Sequence, residues 1–199
     1  QAFAHDQLYD AILARHWAAA HDETQELHYT LAAGQQAIRL NQFTAARTYY
    51  ERALFLLPDD DPRTVGAVEQ LGKLYHTIGQ FEDVLTLYTH LLALPQIPVE
   101  RRIEAMVTLA DAMRRCGNPE NAEALLVQAL ELAQVNDYPT GQARALTARA
   151  LMKLQQEAFS EALTLLEQAV KLQQGGDAIS EYEALRAQLT AHFAQGNIL

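Results

Sequence analysis

Histidines are the first residues in this sequence that could do chemistry. His16, His21 and His28 lie near one another, but a polar turn separates them and their spacing is not regular. A zinc pair on a helix needs two histidines at positions i and i+4. These histidines do not provide that spacing. We therefore predict no metal site and no bound cofactor, and we interpret the histidines as residues of helix surfaces or helix interfaces.

Nucleophilic and calcium chemistry also lack a supporting motif. The single cysteine, Cys116, falls at the end of a predicted helix, where no helix N-terminus or adjacent base would activate the thiol. We expect it to be a half-buried structural side chain. No G-x-S-x-G nucleophile elbow occurs. The acidic run 59–61 lacks the alternating ligands of a calcium loop, and Pro62 follows it, so we expect an aspartate cap at a helix start. The sequence predicts no enzyme.

Composition and charge limit the class of protein. The chain has 199 residues, 49% of them hydrophobic, which is enough for one domain spanning 1–199. A net charge of −10 disfavours a nucleic-acid partner, and no apolar run reaches the ~18 residues of a membrane span. A lone thiol favours the reducing cytoplasm. Because the chain starts with Gln1, we expect a fragment of a larger protein.

Apolar residues recur at helical intervals along the chain, so we predict an all-α fold of about ten helices. The predicted organisation is a capping helix within 1–22, four helical hairpins within 23–174 and a second capping helix within 177–195. Gly34 falls inside a predicted helix, where glycine costs about 1 kcal/mol relative to alanine. Such a glycine is tolerable if another backbone approaches there.

Three columns of residues keep their register across the four hairpins. The small or branched residue early in each second helix falls at Ala46, Val84, Ala122 and Ala162, at intervals of 38, 38 and 40 residues. The column of large residues is Tyr50, Tyr88, Leu126 and Leu166, and the column of interface residues is Ala53, Leu91, Ala129 and Ala169. An interval this regular is typical of a helical repeat.

On these residues the chain resembles a tetratricopeptide repeat domain. The resemblance implies a right-handed superhelical solenoid of antiparallel helix hairpins. The chain departs from the family pattern at Asn41 and Glu157, which stand where a turn glycine is usual, and at Val84 and Leu91, which enlarge two close contacts.

The run LARHWAAAHDETQELHYTLAAGQQA, from Leu13 to Ala37, also resembles the opening of the helical-repeat arm of bacterial signal-transducing NTPase regulators. In that family the arm senses a ligand or a protein. No G-x-x-x-x-G-K-[ST] motif occurs in the sequence, so nucleotide binding is not assigned to this chain.

The first helix of each hairpin lines the inner surface of such a solenoid, which makes it the candidate partner-binding face. The residues expected there are Gln35, Arg39, Glu69, Lys73, His76, Asp111, Arg114, Arg115 and Arg144. Lys73, Arg114, Arg115 and Arg144 would form a basic strip suited to a carboxylate or an acidic peptide. The alternative is that Glu69–Lys73 and Asp111–Arg115 are ordinary i, i+4 ion pairs on solvated helix surfaces.

The predicted function is a protein–protein interaction scaffold within a larger bacterial signalling or transcriptional regulator. Its partner would be a protein or peptide segment, with no nucleic acid and no membrane involved. The alternative is the small-ligand sensor arm of a signal-transducing NTPase, and self-association stays open because a truncated repeat array exposes an apolar end.

Overall fold

The computed structural model describes residues 9–95 and 97–172, and all regular secondary structure within these ranges is α-helical. The helices are α1 (Tyr9–Ala19), α2 (Glu23–Arg39), α3 (Phe43–Leu56), α4 (Pro62–Thr77), α5 (Phe81–Ala93), α6 (Val99–Arg115), α7 (Pro119–Val135), α8 (Pro139–Gln155) and α9 (Phe159–Leu172). The predicted all-α class is confirmed. The predicted C-terminal capping helix at 177–195 lies outside the described residues, as does the start of the N-terminal one.

The chain divides into two compact units, residues 1–87 and residues 88–199, with the boundary inside α5. In the first unit α1 packs on α2, α2 on α3, and α3 on α4. In the second unit α6 packs on α7, α7 on α8, and α8 on α9, while α6 also contacts α8. Short turns join these helices, so sequence neighbours are also neighbours in space. The division into one domain with capping helices stays a prediction.

The three repeat columns are the core of the hairpins. Every residue of the first and third columns is fully buried, at 0% exposure, and the column of large residues is at most 3% exposed. The larger Val84 and Leu91 are therefore accommodated inside the core. Alanine at the corresponding positions of the other hairpins lets two helices approach closely, and this packing supplies most of the stability of such short helices.

Six turns between helices share one backbone geometry. The residue after each helix C-cap has a positive φ, in the left-handed region: His21, Asn41, Gly79, Gly117, Asp137 and Glu157. At the second of these turns the Gln42 amide donates to the Ala37 carbonyl at 2.8 Å, which closes a Schellman motif. Asn41 (φ 55°) and Glu157 (φ 58°) thus adopt the conformation of Gly79 (φ 78°). Asn41 and Glu157 therefore differ from the usual glycine in residue type, but the turn geometry is the same.

Aspartate side chains cap two helix starts, and the cap after the acidic run 59–61 is the predicted one. The Asp22 side chain accepts a hydrogen bond from the Gln25 amide at 3.0 Å, and the Asp61 side chain accepts one from the Arg63 amide at 2.8 Å. Pro62 is the first residue of α4, as predicted. At α8 the cap position belongs to Tyr138, while Asp137 is the left-handed turn residue.

Gly34 allows an aromatic ring to lie against α2. A Cβ atom at this position would lie 3.1 Å from the Tyr50 ring, closer than ordinary van der Waals contact. The close neighbour is therefore the side chain of Tyr50 on α3. Burial raises the pKa of the Tyr50 hydroxyl, and the nearby Arg39 guanidinium partly offsets this rise.

Candidate partner-binding faces

The five predicted positions in residues 9–87 lie on α2 and α4. Gln35, Arg39 and Lys73 are exposed, whereas Glu69 and His76 are half-buried. The His76 ring packs edge-on against Phe81, with ring centroids 5.4 Å apart. The exposed members give this part of the chain cationic and amide groups that a partner could reach.

Asp111 holds two of the predicted arginines in residues 88–199. Its Oδ2 accepts a hydrogen bond from the Nε of Arg115 at 2.7 Å, and its Oδ1 accepts hydrogen bonds from Arg114. The Arg115 side chain is 41% exposed and the Arg114 side chain only 12%. The Asp111–Arg115 i, i+4 pair predicted from the sequence is therefore present, and Arg115 is the more accessible of the two cations.

Glu104 joins α6 to the start of α8. Its Oε2 lies 3.4 Å from the guanidinium of Arg144, and its Oε1 accepts a hydrogen bond from the Tyr138 hydroxyl at 2.9 Å. Burial and this hydrogen bond to a carboxylate raise the pKa of Tyr138 to about 12. The phenol is therefore a neutral donor at physiological pH, and it holds the carboxylate against Arg144.

The three cations of α8 each bind a glutamate of a different helix. Arg144 pairs with Glu104 on α6, Arg149 pairs with Glu123 on α7 at 2.7 Å, and Lys153 pairs with Glu161 on α9 at 3.0 Å. Residues 139–155 contain no aspartate or glutamate, so every partner comes from a neighbouring helix. The positive charge of α8 thus serves mainly to join helices within this unit.

The basic strip expected from the sequence is therefore mostly compensated in residues 88–199. Three arginines (Arg114, Arg115 and Arg144) are paired with two carboxylates (Asp111 and Glu104). The surface is a mixed polar face in which carboxylates hold the guanidinium groups in fixed orientations.

Several structural residues were not found from the sequence. Glu26 is 4% exposed and accepts two hydrogen bonds from Arg52, at 2.7 and 3.1 Å, across the α2–α3 hairpin. The Tyr75 hydroxyl donates to Glu51 at 2.8 Å, and burial together with this carboxylate raises the pKa of Tyr75 far above its ordinary value. Cys116, expected to be half-buried, is exposed, because it is the C-cap residue of α6 next to the left-handed Gly117.

The Glu104–Arg144 ion pair, by contrast, could have been found from the repeat interval of the sequence. Glu104 and Arg144 are 40 residues apart, which is also the interval from Ala122 to Ala162 in the second helices. Opposite charges at one repeat position of consecutive hairpins indicate an ion pair between their first helices. The contacts of Tyr138 had no such signal, because its position depends on the geometry of the turn before α8.

Within the described residues, no group of histidine, cysteine, aspartate and glutamate side chains is arranged to hold a metal ion. Among the described helices, none has both the length and the apolar character that a membrane crossing requires.

Comparisons with known proteins agree with this geometry. Two family models, both described as tetratricopeptide repeat, match residues 67–101 and 101–175. A search of curated proteins returns no significant match.

Solved structures share the fold at low sequence identity. The crystal structure of BtubC (BKLC) from P. vanneervenii has a TM-score of 0.72 and 18% identity, and the match covers 99% of this chain and 85% of that chain. The nearly identical TPR-like repeats of a putative kinesin light chain from Podosopora anserina have a TM-score of 0.65 and 17% identity, over 83% of this chain and 93% of that chain. YrrB, a TPR protein with an unusual peptide-binding site, has a TM-score of 0.52 and 15% identity, over 85% and 77%.

The two family models together span 67–175, more than half of the chain, and the buried repeat columns, the left-handed turns and the structural neighbours all agree with them. The chain therefore belongs to the tetratricopeptide repeat family.

Proposed function

We propose that this chain is a protein-binding scaffold that holds a segment of a partner protein against the first helices of its hairpins. The observation that carries the proposal is the Glu104–Arg144 ion pair, which places charged side chains of α6 and α8 on one surface. Tetratricopeptide repeats generally bind proteins or peptides, and one structural neighbour, YrrB, has a peptide-binding site.

The proposed first-helix face in residues 88–199 consists of Glu104, Asp111, Arg114, Arg115 and Arg144. Arg115 is the proposed anchor, because it is held by Asp111 yet 41% exposed. A guanidinium group held in this way loses little side-chain entropy when it binds a carboxylate of the partner in a bidentate manner. Such guanidinium groups favour a partner segment that carries at least one carboxylate.

A second set of contacts is proposed in residues 9–87, at Gln35, Arg39, Glu69, Lys73 and His76. The exposed Arg39 and Lys73 would supply positive charge, and Gln35 an amide that both donates and accepts hydrogen bonds. Substitutions in one set of contact residues test that set without changing the other.

A peptide-display selection against the whole chain, followed by calorimetric measurement of the selected peptide, tests the proposal. We expect Arg115→Glu to weaken binding of that peptide at least about tenfold, which corresponds to about 1.4 kcal/mol. The matched control is Lys171→Glu, an equal charge reversal at an exposed residue of α9, a second helix. Failure to select any peptide, or equal affinities of the two variants, would contradict the proposal.

The resemblance of Leu13–Ala37 to the arm of bacterial NTPase regulators supports a finer proposal. According to this finer proposal, the scaffold is part of a larger cytoplasmic regulator and functions in signal transduction. Sequencing the complete gene tests this context, because a regulator of that class carries a G-x-x-x-x-G-K-[ST] motif upstream of the arm.

The same resemblance favours a second candidate function, the sensing of a small ligand. A thermal-shift screen with sugars and metabolites separates the two functions, because a ligand that binds only the folded state raises the melting temperature. A specific shift by one compound favours the sensor. The absence of any shift, together with a selected peptide that stabilises the chain, favours the protein-binding scaffold.

A further inference from the structure

Gly141 is a glycine in the first turn of a helix, where alanine would form the helix better. It is the third residue of α8, which begins at Pro139. Its φ is not positive, so the backbone conformation does not require glycine. The reason for a glycine at this position therefore lies in what a side chain would meet.

Two side chains fill the space that a Cβ atom at Gly141 would need. Such an atom would overlap Cδ1 of the Tyr138 ring and would lie 2.8 Å from Cε1 of the same ring. It would also lie 3.0 Å from Cγ2 of Ile103 on α6, a residue with 0% exposure. Because Gly141 has no side chain, the Tyr138 ring can lie across the first turn of α8, and α8 can approach α6.

The backbone of Tyr138 is bonded on both sides of this ring. Its amide donates to the Ala133 carbonyl at 2.9 Å, and its carbonyl accepts a hydrogen bond from the Gln142 amide at 3.1 Å. Because both groups are bonded, we expect a side chain at position 141 to displace the ring rather than the backbone of Tyr138.

The Tyr138 hydroxyl reaches the first-helix face from this position. It donates to Oε1 of Glu104 at 2.9 Å, while Oε2 of the same carboxylate lies 3.4 Å from the Arg144 guanidinium. Glu104 directly follows Ile103 on α6. Arg144 lies three residues after Gly141 on α8. Displacement of the ring would remove the hydroxyl donor from Glu104, and the ion pair would lose the contact that fixes its orientation.

We propose that Gly141 is a positioning residue of the first-helix face in residues 88–199. It does not contact the partner itself. It makes room for the Tyr138 ring, and the ring holds the Glu104–Arg144 ion pair in the orientation that the partner segment binds. Side chains that are already held lose less rotational entropy on binding, so a displaced ring weakens binding without removing any contact residue. The inference rests on the proposed function, because it assigns a role in the same face.

The affinity of a display-selected peptide that Arg115→Glu weakens tests this role. Gly141→Ala should weaken binding of the peptide about threefold to tenfold, because a long side chain must then be immobilised again on binding. In a Tyr138→Ala background, which has no ring to displace, the same substitution should change the affinity by less than about twofold. A general loss of structure would weaken binding in both backgrounds. Gly66→Ala is the matched control, since its Cβ meets nothing within 4 Å, and it should leave the affinity unchanged.

The titration of Tyr138 measures the contact without any partner. Burial and the Glu104 carboxylate raise the pKa of Tyr138 from 10.0 to about 12. Subtraction of the absorbance of Gly141→Ala/Tyr138→Phe from that of Gly141→Ala isolates this phenol. We expect its transition to move from about 12 toward 10.0 in Gly141→Ala and to stay near 12 in Gly66→Ala.

The outcomes separate this inference from the proposed function. A Tyr138 transition that stays near pH 12 in Gly141→Ala, or an equal loss of affinity in both backgrounds, would overturn the inference, while the effect of Arg115→Glu would still support the scaffold. If no selected peptide responds to Arg115→Glu, the proposed function fails, and the binding role of Gly141 fails with it.

A second variant decides the case in which Gly141→Ala does not fold. Tyr138→Phe keeps the ring and removes only the hydroxyl that Glu104 accepts. We expect it to keep the helical circular dichroism of the wild type and to weaken the same peptide. An unchanged affinity in Tyr138→Phe would overturn the inference.

Discussion

Glu104 on α6 and Arg144 on α8 form an ion pair of 3.4 Å at the same repeat position of consecutive hairpins. The Tyr138 hydroxyl donates to the same carboxylate at 2.9 Å. One glutamate thus joins two first helices and the turn residue that starts the second of them. This arrangement fixes the relative position of the charged groups on the face that we propose binds a partner.

The titration of Tyr138 reports directly on this contact. Burial and the Glu104 carboxylate raise its pKa from 10.0 to about 12. Because the folded-state pKa exceeds the unfolded one, the resulting stabilisation is fully present below pH 10 and is lost as the pH rises from 10 through 12. The phenolate absorbance of wild type minus that of Tyr138→Phe should show a transition near pH 12. Glu104→Gln should move this transition to lower pH, and a wild-type transition near pH 10 would contradict the assigned contact.

Two glycines inside helices should respond oppositely to alanine. Gly34→Ala gains about 1 kcal/mol of helix propensity, but its Cβ would press on the Tyr50 ring, which is 1% exposed and has little room to move. We expect a net loss of about 1 kcal/mol. Gly66→Ala meets nothing within 4 Å and should gain up to about 1 kcal/mol. Urea unfolding measures both, and a stabilised Gly34→Ala would refute the close contact.

The left-handed turn residues offer a stabilising substitution. Glu157 has a φ of 58°, a conformation that costs a residue with a side chain about 1–2 kcal/mol, whereas glycine costs about 0.5–1 kcal/mol more in unfolded-chain entropy. Glu157→Gly should therefore raise the free energy of unfolding by about 0.5–1 kcal/mol. Gly117→Ala, at a φ of 82°, is the reverse control and should lower it by about 1 kcal/mol. A destabilised Glu157→Gly would count against the turn geometry.

The Glu26–Arg52 pair should be coupled more strongly than a typical surface pair. Glu26 is 4% exposed and makes two hydrogen bonds to Arg52, whose side chain is 45% exposed and therefore partly screened. A double-mutant cycle with Glu26→Gln and Arg52→Met should give a coupling free energy of about 1–2 kcal/mol.

The comparison cycle is Lys153 with Glu161, whose glutamate side chain is 64% exposed. We expect its coupling to be about 0.2–1 kcal/mol. Equal coupling in the two cycles would show that burial of Glu26 adds nothing to the interaction.

Much of the fold was predictable, because its causes are local. Apolar residues at helical spacing give the helices, Pro62 and Pro119 mark helix starts, and residues such as Ala46 and Ala122 recur where helices must approach closely. The left-handed turns at Asn41 and Glu157 were less visible, since the Schellman geometry fixes the backbone and accepts a residue other than glycine.

The candidate face was only partly predictable, because ion pairs join residues that are distant in sequence. The Asp111–Arg115 pair follows from i, i+4 spacing, but the pairing of Arg144 with Glu104 requires knowing that α6 and α8 are adjacent.

Site-specific photo-crosslinking to the display-selected peptide is the most direct test of the protein-binding scaffold. A photoreactive amino acid is placed at the exposed Cys116, which directly follows Arg115 at the end of α6, and, in a separate variant, at the exposed Gln168 on α9. The proposed first-helix face predicts a crosslinked product from position 116 and none from position 168. A crosslink from position 168 alone, with none from position 116, would contradict it.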